Sequence, residues 1–97
     1  MPAYISLINF TEQGVREVKD TVKRARAAAE AAKAAGGRFI GIWWTLGQYD
    51  AVLVAELPDD QAVMRLLLAT GMQGNVRTTT MQAFSEEEME KIVGSLP

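Results

Sequence analysis

The sequence predicts an α+β fold, with one four-stranded antiparallel sheet and two long helices on a single face. Three observations carry this. Apolar periodicity switches between period two and a three-to-four spacing in the order β-α-β-β-α-β, followed by one more helical stretch. A glycine-centred turn, Leu46-Gly47-Gln48, joins the two middle apolar runs directly, so those strands form a hairpin. Each outer pair of strands is separated by a helix, and right-handed crossovers then give the strand order 4-1-3-2.

Strand one is Tyr4 to Phe10, apolar and rich in strand formers. Thr11 is placed to cap the helical stretch after it, although Gly14 stands where a full capping box carries Glu. Val15, Val18, Val22, Ala25, Ala29 and Ala32 recur at helical spacing and mark one face. Asp20-Thr21 is a second capping signal, so a break in this helix is expected there. Gly36-Gly37 ends the helix, because glycine adopts the left-handed C-cap conformation without strain.

Strand two is Arg38 to Thr45 and strand three Tyr49 to Leu57. Pro58-Asp59-Asp60 opens the second long helix with an Asp cap, and Val63, Met64, Leu66 and Leu67 supply its apolar positions. Gly71 lies at or near its end. Gly74-Asn75 is a turn and Val76 to Phe84 is strand four. Ser85-Glu86-Glu87-Glu88 is a complete capping box, opening a terminal helix with Met89, Ile92, Val93 and Leu96 as its stripe. This is the split βαβ, ferredoxin-like arrangement, with one extra C-terminal helix.

Ninety-seven residues correspond to one domain, 1–97. The net charge of −2 gives no general attraction to nucleic acid or anionic lipid. Basic residues along the first helix (Lys19, Lys23, Arg24, Arg26, Lys33) alternate with Glu12, Glu17, Asp20 and Glu30, which reads as a solvated face. Cysteine and histidine are both absent, so disulfides, His-ligated metals or haem, and imidazole-dependent nucleophiles are excluded. Neither a cofactor nor a metal is expected. No signal pattern or bilayer-length apolar run appears, so a cytoplasmic location without membrane contact is expected.

Three of the four strands are apolar on both sides. Ile5 and Leu7 oppose Tyr4, Ile8 and Phe10; Val52 and Val54 oppose Ala51, Leu53, Ala55 and Leu57; Ile40, Ile42 and Trp44 oppose Phe39 and Trp43. Helices on one face leave the other bare, and its apolar area exceeds what monomers usually expose. A homodimer or higher oligomer packed through the sheet is therefore expected.

Trp44-Thr45-Leu46-Gly47-Gln48-Tyr49-Asp50 resembles the G-x-Y-D signature of the GYD domain family, here Gly47, Tyr49 and Asp50. Thr11-Glu12-Gln13-Gly14, Gly74-Asn75-Val76-Arg77-Thr78 and Ala83-Phe84-Ser85-Glu86 resemble the same family, in order and over nearly the whole chain. One departure is Thr21-Val22, where the family often carries proline. The resemblance implies a dimeric α+β barrel, a largely bacterial family, and no established activity. Related barrels include cofactor-free monooxygenases, isomerases and ligand sensors, which is analogy at the level of fold.

On a strand, the neighbours Tyr49 and Asp50 leave opposite faces, so they do not form a compact catalytic pair. Asp50 reads as a turn or interface carboxylate accepting backbone or arginine hydrogen bonds. Gly47 supplies a positive φ. Trp43 and Trp44 also part, one to the core and one to an interface or pocket wall. Asn9, amid apolar residues, is either a satisfied core amide or a ligand contact. Arg77 is a candidate anion contact, against a salt bridge to Asp50 or Glu56. The first functional reading is a small organic ligand held between sheet and helices, lined by Tyr49, Trp43, Trp44, Asn9 and Arg77. A cofactor-free enzyme, with Tyr49, Asn9 and a Trp converging on one cavity, and a purely structural module are the alternatives.

Overall fold

The computed structural model describes all residues from Met1 to Pro97. The chain runs β1 (Ala3–Phe10), α1 (Glu12–Arg16), a 3-10 turn (Val18–Asp20), α2 (Thr21–Ala34), β2 (Arg38–Trp44), β3 (Ala51–Glu56), α3 (Asp60–Met72), β4 (Val76–Ala83) and α4 (Glu86–Gly94). The strands form one antiparallel sheet in the order β2-β3-β1-β4, the expected 4-1-3-2 order read from the other edge. No helix is long and apolar enough to cross a membrane.

The caps fall where short polar residues precede apolar runs. The Thr11 hydroxyl accepts from the Gly14 N–H at 3.0 Å, and the Asp59 carboxylate accepts from the Ala62 N–H at 2.9 Å. At α4 the box is reciprocal: Ser85 Oγ accepts from the Glu88 N–H at 3.1 Å, and Glu88 Oε1 accepts from the Ser85 N–H at 2.9 Å. Accepting the Ser85 backbone N–H, with help from its hydroxyl, holds the Glu88 carboxyl below the ordinary glutamate range.

The first helix breaks near Asp20 as expected, but Asp20 makes no side-chain cap; a 3-10 turn carries the bend. That turn resets the helical phase, so the predicted stripe divides. Ala32 is buried, whereas Val15, Val18 and Val22 stay exposed.

The two strand boundaries at the hairpin also differ. Strand two stops at Trp44, and strand three begins at Ala51 rather than Tyr49. Thr45 to Asp50 form a six-residue loop instead of a tight turn. Tyr49 and Asp50 therefore lie outside the pleat, and the strand alternation applied to them does not hold.

Strand β2 carries a bulge. Phe39 pairs with Ala55 and Gly41 with Val54, leaving Ile40 as the extra residue. The bulge shifts the alternation, so Phe39 joins Ile42 and Trp44 on the helix-covered side instead of opposing them. Trp43 is left on the open face, where its ring lies over Gly41. A Cβ at Gly41 would stand 2.9 Å from that ring.

The core gathers Tyr4, Ala32, Leu57, Ala62 and Val63, with Phe39, Leu66 and Leu67 packed against them. The Tyr4 hydroxyl donates to Asp60 Oδ1 at 2.8 Å. That hydrogen bond, then burial and the carboxylate charge, raise the Tyr4 phenol above its ordinary range.

Only 10 of 97 residues are buried, and the chain exposes 6834 Å². A compact monomer of this mass exposes roughly 5,500 Å². The radius of gyration is 14.7 Å, against about 12.5 Å for a compact domain of this length. Two features account for the excess: α4 has no packed interface with any strand or helix, and the second sheet face is bare.

Candidate functional site

Two places compete as the site: the loops that hold the sequence motifs, and the space beneath the helices.

The motif loops meet at the end of β1. On one side, the Asp50 N–H donates to the Ile8 carbonyl at 2.8 Å, and Asp50 Oδ2 accepts from the Phe10 N–H at 2.8 Å. Asn9 Nδ2 donates to the Gln48 carbonyl at 2.8 Å, and the Thr45 hydroxyl donates to the Tyr49 carbonyl at 2.6 Å. Gly47 has φ 106°, the left-handed region that glycine enters freely. The carboxylate and the amide thus close the loop and extend the pairing of β1 beyond the end of β3.

On the other side, the Thr11 N–H donates to the Asn75 carbonyl at 3.0 Å, and its hydroxyl donates to the Gly74 carbonyl at 2.6 Å. Gln13 Nε2 reaches the Gln73 carbonyl at 2.9 Å and Asn75 Oδ1 at 3.0 Å. Gly14 lies directly against the Asn75 backbone. Two segments far apart in sequence form one joint.

The space beneath the helices is a cavity of about 190 Å³ between the sheet and helices α2 and α3. Its walls are mostly apolar, with Ile8, Phe39, Ile42, Trp44 and Leu53 on the sheet and Ala28 on α2. The polar groups at its edges are largely engaged with one another. Ser6 Oγ and Thr80 Oγ1 are 2.8 Å apart, and Trp44 Nε1 donates to Thr21 Oγ1 at 3.0 Å.

Of the expected contact residues, Trp44 alone lines this cavity. Trp43 and Arg77 lie on the open face, between neighbours on each strand that face the cavity. Asn9 shares that face, paired in register with Arg77. Tyr49 lies in the loop, half-buried. Arg77 pairs with neither carboxylate considered for it: Glu56 takes Arg38 at 2.7 Å, and Asp50 takes the Phe10 N–H. Sequence reasoning missed Arg24, which borders the cavity but reads in sequence as one of several solvated bases. Phe39 was missed because the alternation was carried straight through Gly41, and a glycine inside a strand is the one local sign of a bulge.

The model of the GYD domain family matches residues 4–93. The chain belongs to the GYD domain family. The fold is similar to that in the crystal structure of TTHA0845 from Thermus thermophilus, with a TM-score of 0.51 and 23% identity over 88% of this chain and 95% of that one. At that identity the likeness speaks for the fold alone. None of the curated proteins matches the chain.

In this GYD domain the signature aspartate has a visible structural task. Asp50→Ala removes the acceptor of the half-buried Phe10 N–H and should lower stability by about 1–3 kcal/mol. Asp50→Asn keeps an amide oxygen in place and should lose less. Urea unfolding of the two variants measures the difference; an alanine variant within about 0.5 kcal/mol of wild type would show that the bond carries nothing.

Proposed function

We propose that this GYD domain acts as a homodimer that binds a small organic molecule between its sheet and helices α2 and α3. The observation that carries the ligand reading is the apolar cavity of about 190 Å³. An apolar cavity of about 150 Å³ accommodates benzene, so one ring or a short chain fits. A structural module has no use for such a space, since packed cores leave few voids larger than a water.

Binding is favoured over acid–base catalysis by what surrounds the cavity. Tyr49 and Asn9, which an enzyme reading requires beside a tryptophan, are not among the lining residues. Tyr4, a phenol that does line it, is already donating to Asp60 and is pushed up in pKa, which makes it a poor proton donor near neutrality.

The dimer reading is supported by surface area. The excess over a compact monomer is roughly 1,400 Å², more than the ~800 Å² each partner contributes to a standard interface. The apolar stripe of α4, Met89, Ile92 and Val93, and Leu96 just past its end, each at least 42% exposed, add to what a partner copy would cover.

Thermal shift against a panel of small organic molecules tests the ligand reading. A ligand at a hundred times its Kd stabilises the folded state by about 2.7 kcal/mol, a readily measured rise in Tm. Ala28→Phe fills the cavity from α2 and should abolish the shift. A shift that survives in Ala28→Phe would place the ligand elsewhere.

A further inference from the structure

Arg24 is the one ionised residue among those lining the cavity; no aspartate or glutamate faces it. Its Nη1 donates to the Glu17 carbonyl at 2.8 Å, which pins the side chain to the 3-10 turn. Its Nη2 is closed off from solvent and has no hydrogen-bond partner. Asp20 stands one turn earlier on the same helical stretch, yet the two ion pairs in the protein are Arg16–Glu12 and Arg38–Glu56. A guanidinium nitrogen deprived of both water and a partner is costly, and an anion within reach would offset that cost.

Most of the other polar groups at the cavity edge are satisfied internally, Ser6 with Thr80, Trp44 with Thr21 and Tyr4 with Asp60, and the remaining ones, Thr78 and Gln73 among them, carry no charge. The unspent cationic donor is therefore Arg24, at one end of a space otherwise walled by alkyl and aromatic groups.

We propose that the cavity takes a monocarboxylic acid with a compact apolar body, about the size of an aryl carboxylate, and that Arg24 holds its carboxylate. This rests on the reading of the cavity as a ligand site. With Nη1 held by the Glu17 carbonyl, the free edge of the guanidinium is Nε and Nη2, and these two N–H groups meet the two carboxylate oxygens in the planar fork that arginine favours. The apolar body lies against Trp44, Ile42 and Phe39. A neutral molecule of the same shape leaves the guanidinium unpaired, so the site discriminates by charge more than by shape.

Calorimetric titration of the full chain with benzoate and phenylacetate, alongside benzamide and phenylacetamide, tests this at pH 7. The acids are expected to bind at least tenfold more tightly than their amides. Arg24→Met, which keeps the alkyl stem, should erase that preference, and Arg24→Lys should retain part of it. The wild-type comparison of acid with amide needs no variant, so a folding defect in Arg24→Met leaves the test intact. Amides binding as tightly as acids, or an acid preference that persists in Arg24→Met, would overturn the carboxylate assignment while leaving the cavity a ligand site. Absence of binding by all four probes, or binding unaffected by Ala28→Phe, would remove the cavity reading and this inference with it.

Discussion

Gly14→Ala is expected to destabilise the domain by about 3 kcal/mol, the upper end of what overpacking usually costs. A Cβ on Gly14 would overlap the Asn75 carbonyl oxygen and stand 2.9 Å from its carbonyl carbon. Both are backbone atoms, so no rotamer change relieves the contact. Helix α1 would have to withdraw from the turn before β4 by an ångström or more. That movement strains the Thr11 N–H bond to Asn75 and the Thr11 hydroxyl bond to Gly74, each worth roughly 1 kcal/mol. At about 4–8 °C per kcal/mol for a domain of this length, the Tm falls by roughly 12–24 °C. Gly71→Ala is the matched control: Gly71 is exposed within α3, and its Cβ would meet nothing within 4 Å. There the same substitution should stabilise by about 0.5–1 kcal/mol through helix propensity. Differential calorimetry of the two variants measures both. A loss below about 1 kcal/mol at Gly14 would mean that the joint is looser than its contacts imply.

Gly14 also shows where sequence reasoning reaches its limit. Read locally, it is a defect in a capping box, a missing Glu three residues after Thr11. In three dimensions it is the point where a helix meets a backbone 61 positions away in sequence, as the Gly14–Asn75 contact shows. Local periodicity carries no information about such a contact. The same limit applies to β2, where the bulge at Ile40 reverses the side on which Phe39 lies. By contrast, the strand order, the break near Asp20, the caps at Thr11 and Ser85 and an Asp cap opening α3 depend on local chemistry and on crossover handedness, and were legible in the sequence.

The candidate site was legible in position but not in its residues. A cavity between sheet and helices follows from the layered architecture and from the small side chains of the alanine-rich α2. Its wall depends on phase: one bulge brings in Phe39, and one 3-10 turn brings Arg24 to the cavity while Val18 and Val22 stay exposed. The signature loop carries a different ambiguity. Asp50 and Asn9 are polar groups amid apolar strands, which suits ligand contacts and loop closure equally well. Hydrogen bonds to Phe10 and Gln48 decide for closure.

Val52→Asp is expected to convert a dimer into a monomer. On the open face, one row across the sheet reads Trp43, Val52, Leu7 and Thr79, and the next reads Gly41, Val54, Ile5 and Met81. Polar groups border these rows, with Asn9 and Arg77 at one end and the Arg38–Glu56 pair at the other. An apolar centre within a polar border is the anatomy of a protein–protein interface. Val52 sits at the middle, so in a face-to-face dimer each copy would bring a carboxylate into the dry centre. Desolvating an unpaired carboxylate costs several kcal/mol; about 4 kcal/mol weakens association roughly a thousandfold. Light scattering coupled to gel filtration should then give twice the 10.6 kDa chain mass for wild type and the single chain mass for Val52→Asp. Leu46→Asp, at a fully exposed loop position, should leave the mass unchanged. Because Trp43 is 54% exposed on the open face of the single chain, its emission should shift to the red in the monomeric variant, whereas Trp44, on the cavity side of the sheet, should stay as it was. A wild-type chain that runs as a monomer at micromolar concentration would overturn the dimer outright.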